Sequence, residues 1–326
     1  MDDVSRAGLR GRATNRRSGE HRRRDQPTLR KPAVIDVEAA LAYAERHALH
    51  ALLILRAGKP VFERYGDGHP ATAPHALYSG TKTFWGILAA VAAREGLLLL
   101  DEPLCETFPA WKIDPWKRRV TVRLLLNMTS GIGFGGLGNA VPTFAQSLET
   151  ELKSEPGTRF TYSGIPLQVF GALLERKLAA RKQTPHVYLA ESILDPLGIK
   201  VGNWRKLKDG TQPLPTGAFL SAPNWATYGE FLRTRARVDY PECFTGSTVN
   251  PRYGLGIWLQ PVADPSDVAY ASGSGGQALY TVPSQTATIV HFGQSASYRH
   301  DAFLRRLFGD PAKPGRPAAR RERSTR

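Results

Sequence analysis

Apolar positions along the chain follow two regimes, a strand-like pattern near each end and a helical period through the middle. Residues 36–47 carry Val37, Ala40, Leu41 and Ala44 at helical spacing, and Asp36 is the predicted N-cap. Two β-rich runs follow at 51–56 and 60–65, and Ala57-Gly58-Lys59 between them predicts a hairpin. A helix is predicted from Ser79 through Trp85, Leu88 and Val91 to Glu95. Residues 120–128 predict a short buried helix with Gly131 as its C-terminal stop, then a glycine-rich loop over 132–138. Helical spacing returns at 142–153, 166–180, 186–194 and after Asn224 through Trp225, Phe231 and Leu232. Strand character reappears at 253–259, 278–282 and 286–292, and 298–308 predicts a closing helix.

This order predicts an α+β fold, an antiparallel sheet flanked by the terminal helices with a large inserted helical subdomain. One domain is expected over 32–309, its sheet part about 32–100 and 240–309 and its helical part about 101–239. Basic tails at 1–31 and 310–326 are expected to be disordered. Charge supports that division. The chain of 326 residues has a net charge of +15. Residues 1–31 hold ten basic and four acidic side chains and residues 310–326 hold six and two, so most of the excess lies in tails too poor in apolar residues to order themselves. No specific nucleic-acid partner is therefore expected, beyond loose affinity of the tails.

No apolar run approaches a membrane span, and no apolar stretch follows the N-terminal arginines, so neither a membrane role nor a secretory signal is expected and a cytoplasmic location follows by default. Cys105 and Cys243 form neither a metal pattern nor a disulfide framework. His47, His50, His69 and His75 have no metal-ligand spacing, so they are expected to be solvated or packing residues, with no metal and no cofactor.

Three strings could carry chemistry. In Ser79-Gly80-Thr81-Lys82 the three-residue spacing on a helix puts serine and lysine on one face. A neutral lysine there could accept the serine proton, and helix-start amides could hold an oxyanion. Alone, the string reads more readily as a capping serine with a solvated lysine. Tyr162, in Phe160-Thr161-Tyr162-Ser163-Gly164, precedes a buried helix and could reach the serine, and a nearby ammonium would lower its pKa toward a phenolate base. Ala271-Ser272-Gly273-Ser274-Gly275-Gly276-Gln277 could admit a substrate backbone beside a strand, or could be a glycine-rich hairpin turn. The G-x-S-x-G elbow of α/β-hydrolases is absent from the sequence.

Taken in order, Ser79-x-x-Lys82, Tyr162-Ser163-Gly164 and Ala271-Ser272-Gly273 resemble the serine β-lactamase and penicillin-binding superfamily, and its class C-like branch of esterases, D-amino-acid peptidases and 6-aminohexanoate-dimer hydrolases in particular. The helix ending in Thr129-Ser130-Gly131, residues 191–199 and 253–258, and Gly275-Gly276-Gln277 are similar to that branch. The resemblance implies a β-lactamase-like fold and an acyl-enzyme serine hydrolase without cofactor. Ser79 would be the nucleophile, Lys82 and Tyr162 would share the proton work, and the backbone amides of Ser79 and Ser274 would form the oxyanion hole. Gly164, Ser272 and Gly273 would line the substrate. Two departures shift the implied substrate. Gly164 stands where the family usually has Asn, and Ala271 where it has Lys or His. Both favour a small ester or amide over a β-lactam or cell-wall peptide. The alternatives are a scaffold that has lost activity and kept a binding role, and a β-lactamase or D-peptidase.

Overall fold

The computed structural model describes residues 35–309. The two tails, and the reading of them as disordered, lie outside the described residues.

Six strands form one antiparallel sheet in the order β2-β1-β9-β8-β7-β6. They are β1 (Leu49–Arg56), β2 (Lys59–Tyr65), β6 (Trp258–Leu259), β7 (Ala269–Gly273), β8 (Gln277–Val282) and β9 (Ala287–Gly293). β3 (His75–Ala76), β4 (Asn203–Trp204) and β5 (Ala218–Leu220) form a small second sheet. The helices are α1 (Val37–Glu45), α2 (Thr83–Arg94), α3 (Val122–Leu126), α4 (Phe144–Leu148), α5 (Ile165–Leu178), α6 (Pro185–Leu189), α7 (Ala222–Phe231), α8 (Arg237–Asp239) and α9 (His300–Phe308).

The main sheet is covered on both faces, and β8 and β9 are buried along their whole length. Alternate residues go to opposite layers. Leu52, Ile54, Ala278, Tyr280 and Ile289 pack in one apolar cluster with Tyr43 of α1 and Phe303, Leu304 and Leu307 of α9. Ala51, Leu53, Leu55, Leu279, Val290 and Phe292 face the larger cluster that holds α2, α5 and α7. The edge strand β2 exposes Lys59, Val61 and Arg64, and its charges discourage further pairing. Asp36 caps α1 as expected, accepting from the Ala39 amide at 2.9 Å. No helix among the described residues is long and apolar enough to cross a membrane.

Departures from the sequence reading cluster in the middle of the chain. The helix expected over 142–153 shrinks to α4, fixed by a capping box between Thr143 and Gln146. Residues 253–259 contribute only the short β6, and β7 supplies the strand beside it. Gly131 is not the stop of α3. That helix ends at Leu126, and Met128 takes the left-handed conformation (φ 62°). Gly131 is needed for a different reason, since a Cβ there would lie 2.0 Å from the Ser154 carbonyl oxygen.

Candidate active site

The short β3 and its partner β5 anchor the chain just before Ser79, with the Leu77 amide donating to Ala218 O at 2.9 Å. Tyr78 then adopts a left-handed backbone (φ 47°), a strained conformation for a bulky residue. Residues Tyr78–Lys82 form a single 3₁₀ turn, and α2 proper begins at Thr83, so the helix expected to open at Ser79 starts as this tighter coil. The i, i+3 relation survives. Lys82 Nζ lies 3.0 Å from Ser79 Oγ and donates to the Pro215 carbonyl at 3.1 Å.

Lys82 is 1% exposed, and no ion pair among the described residues includes it. Burial without a counter-charge disfavours the ammonium and lowers its pKa to about 7. Near neutral pH the amine is thus free to accept a proton, and Ser79 is the hydroxyl beside it.

Tyr162 arrives from the loop ahead of α5. The Thr161 amide donates to Met128 O, the Ser163 hydroxyl donates to Gly135 O at 2.6 Å, and the Ile165 amide donates to Ser163 Oγ. The Tyr162 hydroxyl meets the side chains of Ser79 and Trp258. Its ring lies under Lys82, with Nζ 4.9 Å from the centroid, and packs edge-on to Tyr253. The expected fall in its pKa does not occur. Burial raises it, and the bonds from Ser79 and Trp258 only partly offset that. The ammonium that was to pull the phenol down is itself held toward the neutral amine.

The turn between β7 and β8 is the other wall. Gly275 and Gly276 both have positive φ (82° and 92°). Gln277 Nε2 donates to Ser274 O at 3.1 Å and to Gly293 O at 2.5 Å, the Ser295 amide donates to Gly275 O, and the His291 ring bonds Gly276 O at 2.7 Å. The carbonyls of Ser274, Gly275 and Gly276, three successive residues of the turn, are therefore each held. A Cβ at Gly273 would come 2.2 Å from Leu77 O, so this glycine lets β7 close on the serine turn rather than on a substrate. Ser272 turns the other way. Its hydroxyl lies 2.8 Å from His300 Nε2, whose Nδ1 meets the Tyr280 hydroxyl at 2.7 Å, in the layer beneath α9. Ala271 is 2% exposed in the larger apolar cluster. At Gly164 a Cβ would lie 1.8 Å from Gly136 O and 3.1 Å from Pro215 Cγ, so the glycine-rich loop occupies the volume an asparagine would need.

Ser79, Lys82 and Tyr162 thus come together, Gly273 packs on Leu77 just ahead of them, Ser274 lines a cavity with Tyr78, and Ser272 does not join. Sequence spacing missed the Pro215 carbonyl, Trp258 and the loop residue Gly136. It also missed a cluster. His50, His69 and His75, read as solvated or packing residues, have ring nitrogens that all lie within 4.8 Å of one another, while His47 packs on Tyr43 elsewhere.

A model of the β-lactamase family matches residues 39–227, and the chain belongs to that family. Protein flp of Staphylococcus aureus (strain COL) is 26% identical over 262 residues, covering 68% of this chain and 51% of that protein. The chain spans about half the length of the curated relatives it matches. Among solved structures, the D-stereospecific amidohydrolase from Streptomyces sp. superposes with a TM-score of 0.66 at 16% identity, covering 84% of this chain and 98% of that one. EstCE1, described as a hydrolase with promiscuous acyltransferase activity, gives 0.66 at 16% over 83% and 98%. A penicillin binding protein from Bacillus halodurans gives 0.62 at 17% over 81% and 97%. At these identities the structures share the fold.

Proposed function

We propose that the protein is a serine hydrolase acting through an acyl-enzyme on a small ester or amide, of the class C-like branch. The observation that carries this reading is the buried, unpaired Lys82 amine 3.0 Å from Ser79 Oγ. A buried lysine without a counter-charge costs stability, and a proton acceptor for the adjacent hydroxyl is what that cost supports. Ser79 attacks the acyl carbonyl as Lys82 takes its proton. The face of the Tyr162 ring then helps hold the ammonium that forms. The Tyr162 hydroxyl keeps its own proton at neutral pH and donates it to the leaving group, and the proton that Lys82 took from Ser79 restores the phenol once the leaving group has departed. The backbone amides of Ser79 and Ser274 receive the oxyanion, each such donor contributing about 10²–10³ in rate.

Gly164 and Ala271 argue against β-lactams and cell-wall peptides as substrates, because the amide and cationic side chains that grip them are missing. The crowding at Gly164 means that this loss is built into the loop packing. The amidohydrolase and the hydrolase with promiscuous acyltransferase activity among the fold's neighbours fit the same chemistry.

Labelling with a fluorophosphonate tests the reading. Ser79 is expected to be the modified residue in the wild-type protein, with nitrophenyl-ester hydrolysis lost together with labelling in Ser79→Ala. Hydrolysis that persists in a folded Ser79→Ala protein would remove Ser79 from the mechanism. A wild-type protein that neither labels nor turns over any short ester would favour the inactive binding scaffold instead.

A further inference from the structure

Three imidazoles converge from separate parts of the chain onto one wall of a cavity of about 350 Å³. His50 lies in β1, His75 in β3, and His69 in the connection between β2 and β3. The ring centroids are 3.8 Å apart for His50 and His69, 5.6 Å for His50 and His75, and 5.3 Å for His69 and His75. His75 is 9% exposed and stacks on Phe292 at 4.3 Å, so its place is fixed by the core. None of the three rings has a protein hydrogen-bond partner among the described residues.

Burial lowers the pKa of His50 and His75, that of His75 to about 4, and in both the neighbouring histidines lower it further. No carboxylate contributes to either. Three imidazoles brought together, each offering one ring nitrogen, are the donor set of the borderline transition dications rather than of Ca²⁺ or Mg²⁺.

We propose that His50, His69 and His75 form a three-histidine site for a divalent transition metal of the Zn²⁺ class, with a coordination position open to the cavity. Zn–N bonds of about 2.0–2.1 Å in a tetrahedral site put neighbouring nitrogens about 3.3 Å apart. Closing from the present separations, at most 4.8 Å, needs ring rotation and a small inward shift. His69 can supply it, since its neighbours Gly68 and Pro70 are exposed. Tyr78 and Ser274 line the same cavity, so the open position faces the turn before Ser79 and the strand turn beyond it. Water or a carboxylate oxygen of a bound compound would complete the shell. The site does not depend on the hydrolase reading, because no residue of the proposed acyl transfer is a ligand.

The test is Zn²⁺ titration of the tag-free, full-length protein in competition with a chromophoric chelator, paired with the visible spectrum of the Co²⁺ form. One Zn²⁺ per chain with a Kd at or below about 1 μM is expected, and Co²⁺ should give the intense visible absorption of a low-coordinate site. His69→Ala, in an exposed turn that leaves the core intact, should weaken binding by about 10²-fold or more and remove that absorption. His50→Ala should do the same, with circular dichroism to verify the fold. Wild-type protein that fails to bind Zn²⁺ below about 100 μM would overturn the proposal. So would affinity unchanged by either substitution, which would put the metal elsewhere.

Discussion

The serine cluster and the histidine cluster lie on either side of the same turn, share Tyr78 and Ser274 as neighbours, and were built by different means. Ser79 and Lys82 are three residues apart on one coil, so a local rule brings them together. His50, His69 and His75 belong to a strand, a loop and a second sheet, and only the tertiary fold collects them. Burial acts in both clusters. Burial without a counter-charge lowers the pKa of Lys82, and burial likewise lowers those of His50 and His75. In the first cluster the lone pair faces a hydroxyl, and in the second it faces other lone pairs. That difference separates the proposed proton acceptor from the proposed donor set for a cation.

Substitutions can break this parallel at either end. The largest effect is expected for Lys82→Met, which should lower the rate of Ser79 acylation by about 10³-fold or more, since it removes the base. The same change should leave the melting temperature equal or higher, because an apolar side chain no longer opposes burial. A sharp fall in melting temperature would mean that Lys82 is a structural hydrogen-bond donor to Pro215. Tyr162→Phe comes next. Loss of the donated proton should reduce turnover by about 10²–10⁴, more for substrates with poor leaving groups than for nitrophenyl esters. Equal losses for both would argue that Tyr162 only positions Ser79. The smallest effect is expected for Gly164→Asn. It restores the family's side chain but drives it into Gly136, so it should cost about 1–3 kcal/mol of stability in urea unfolding and confer no β-lactam hydrolysis. A stable Gly164→Asn protein that hydrolyses a β-lactam would show that the loop yields and that this position alone excludes those substrates.

Much of this was legible in the sequence where chemistry follows short spacing. The terminal helices, the hairpin of β1 and β2 and the runs of β8 and β9 read correctly, because each either alternates or is buried on both faces. Ser79, Lys82 and Tyr162 read correctly as neighbours, through local spacing and family resemblance. The middle of the chain was over-read as helix, since apolar spacing over 142–153 reports burial as readily as periodicity. The sign of the Tyr162 shift was missed because it depends on how dry the site is, which no motif states. Ser272 was assigned to the wrong face, since in a strand every second side chain points away. The glycines misled in a consistent way. Gly131, Gly164 and Gly273 were read as a helix stop, a lost substrate contact and a substrate passage, and each turns out to admit another backbone carbonyl.

The central claim is that Lys82, as a neutral amine, activates Ser79. The most direct measurement is the pH dependence of the acylation burst with a nitrophenyl ester, followed in single turnover from pH 5 to 9. Lys82 must be deprotonated to accept the serine proton, so the burst rate should rise with pH through about 7 and level off above it. A rate still climbing at pH 9 would place Lys82 near its ordinary pKa as a buried ammonium, and a rate that does not change over the range would exclude it as the base.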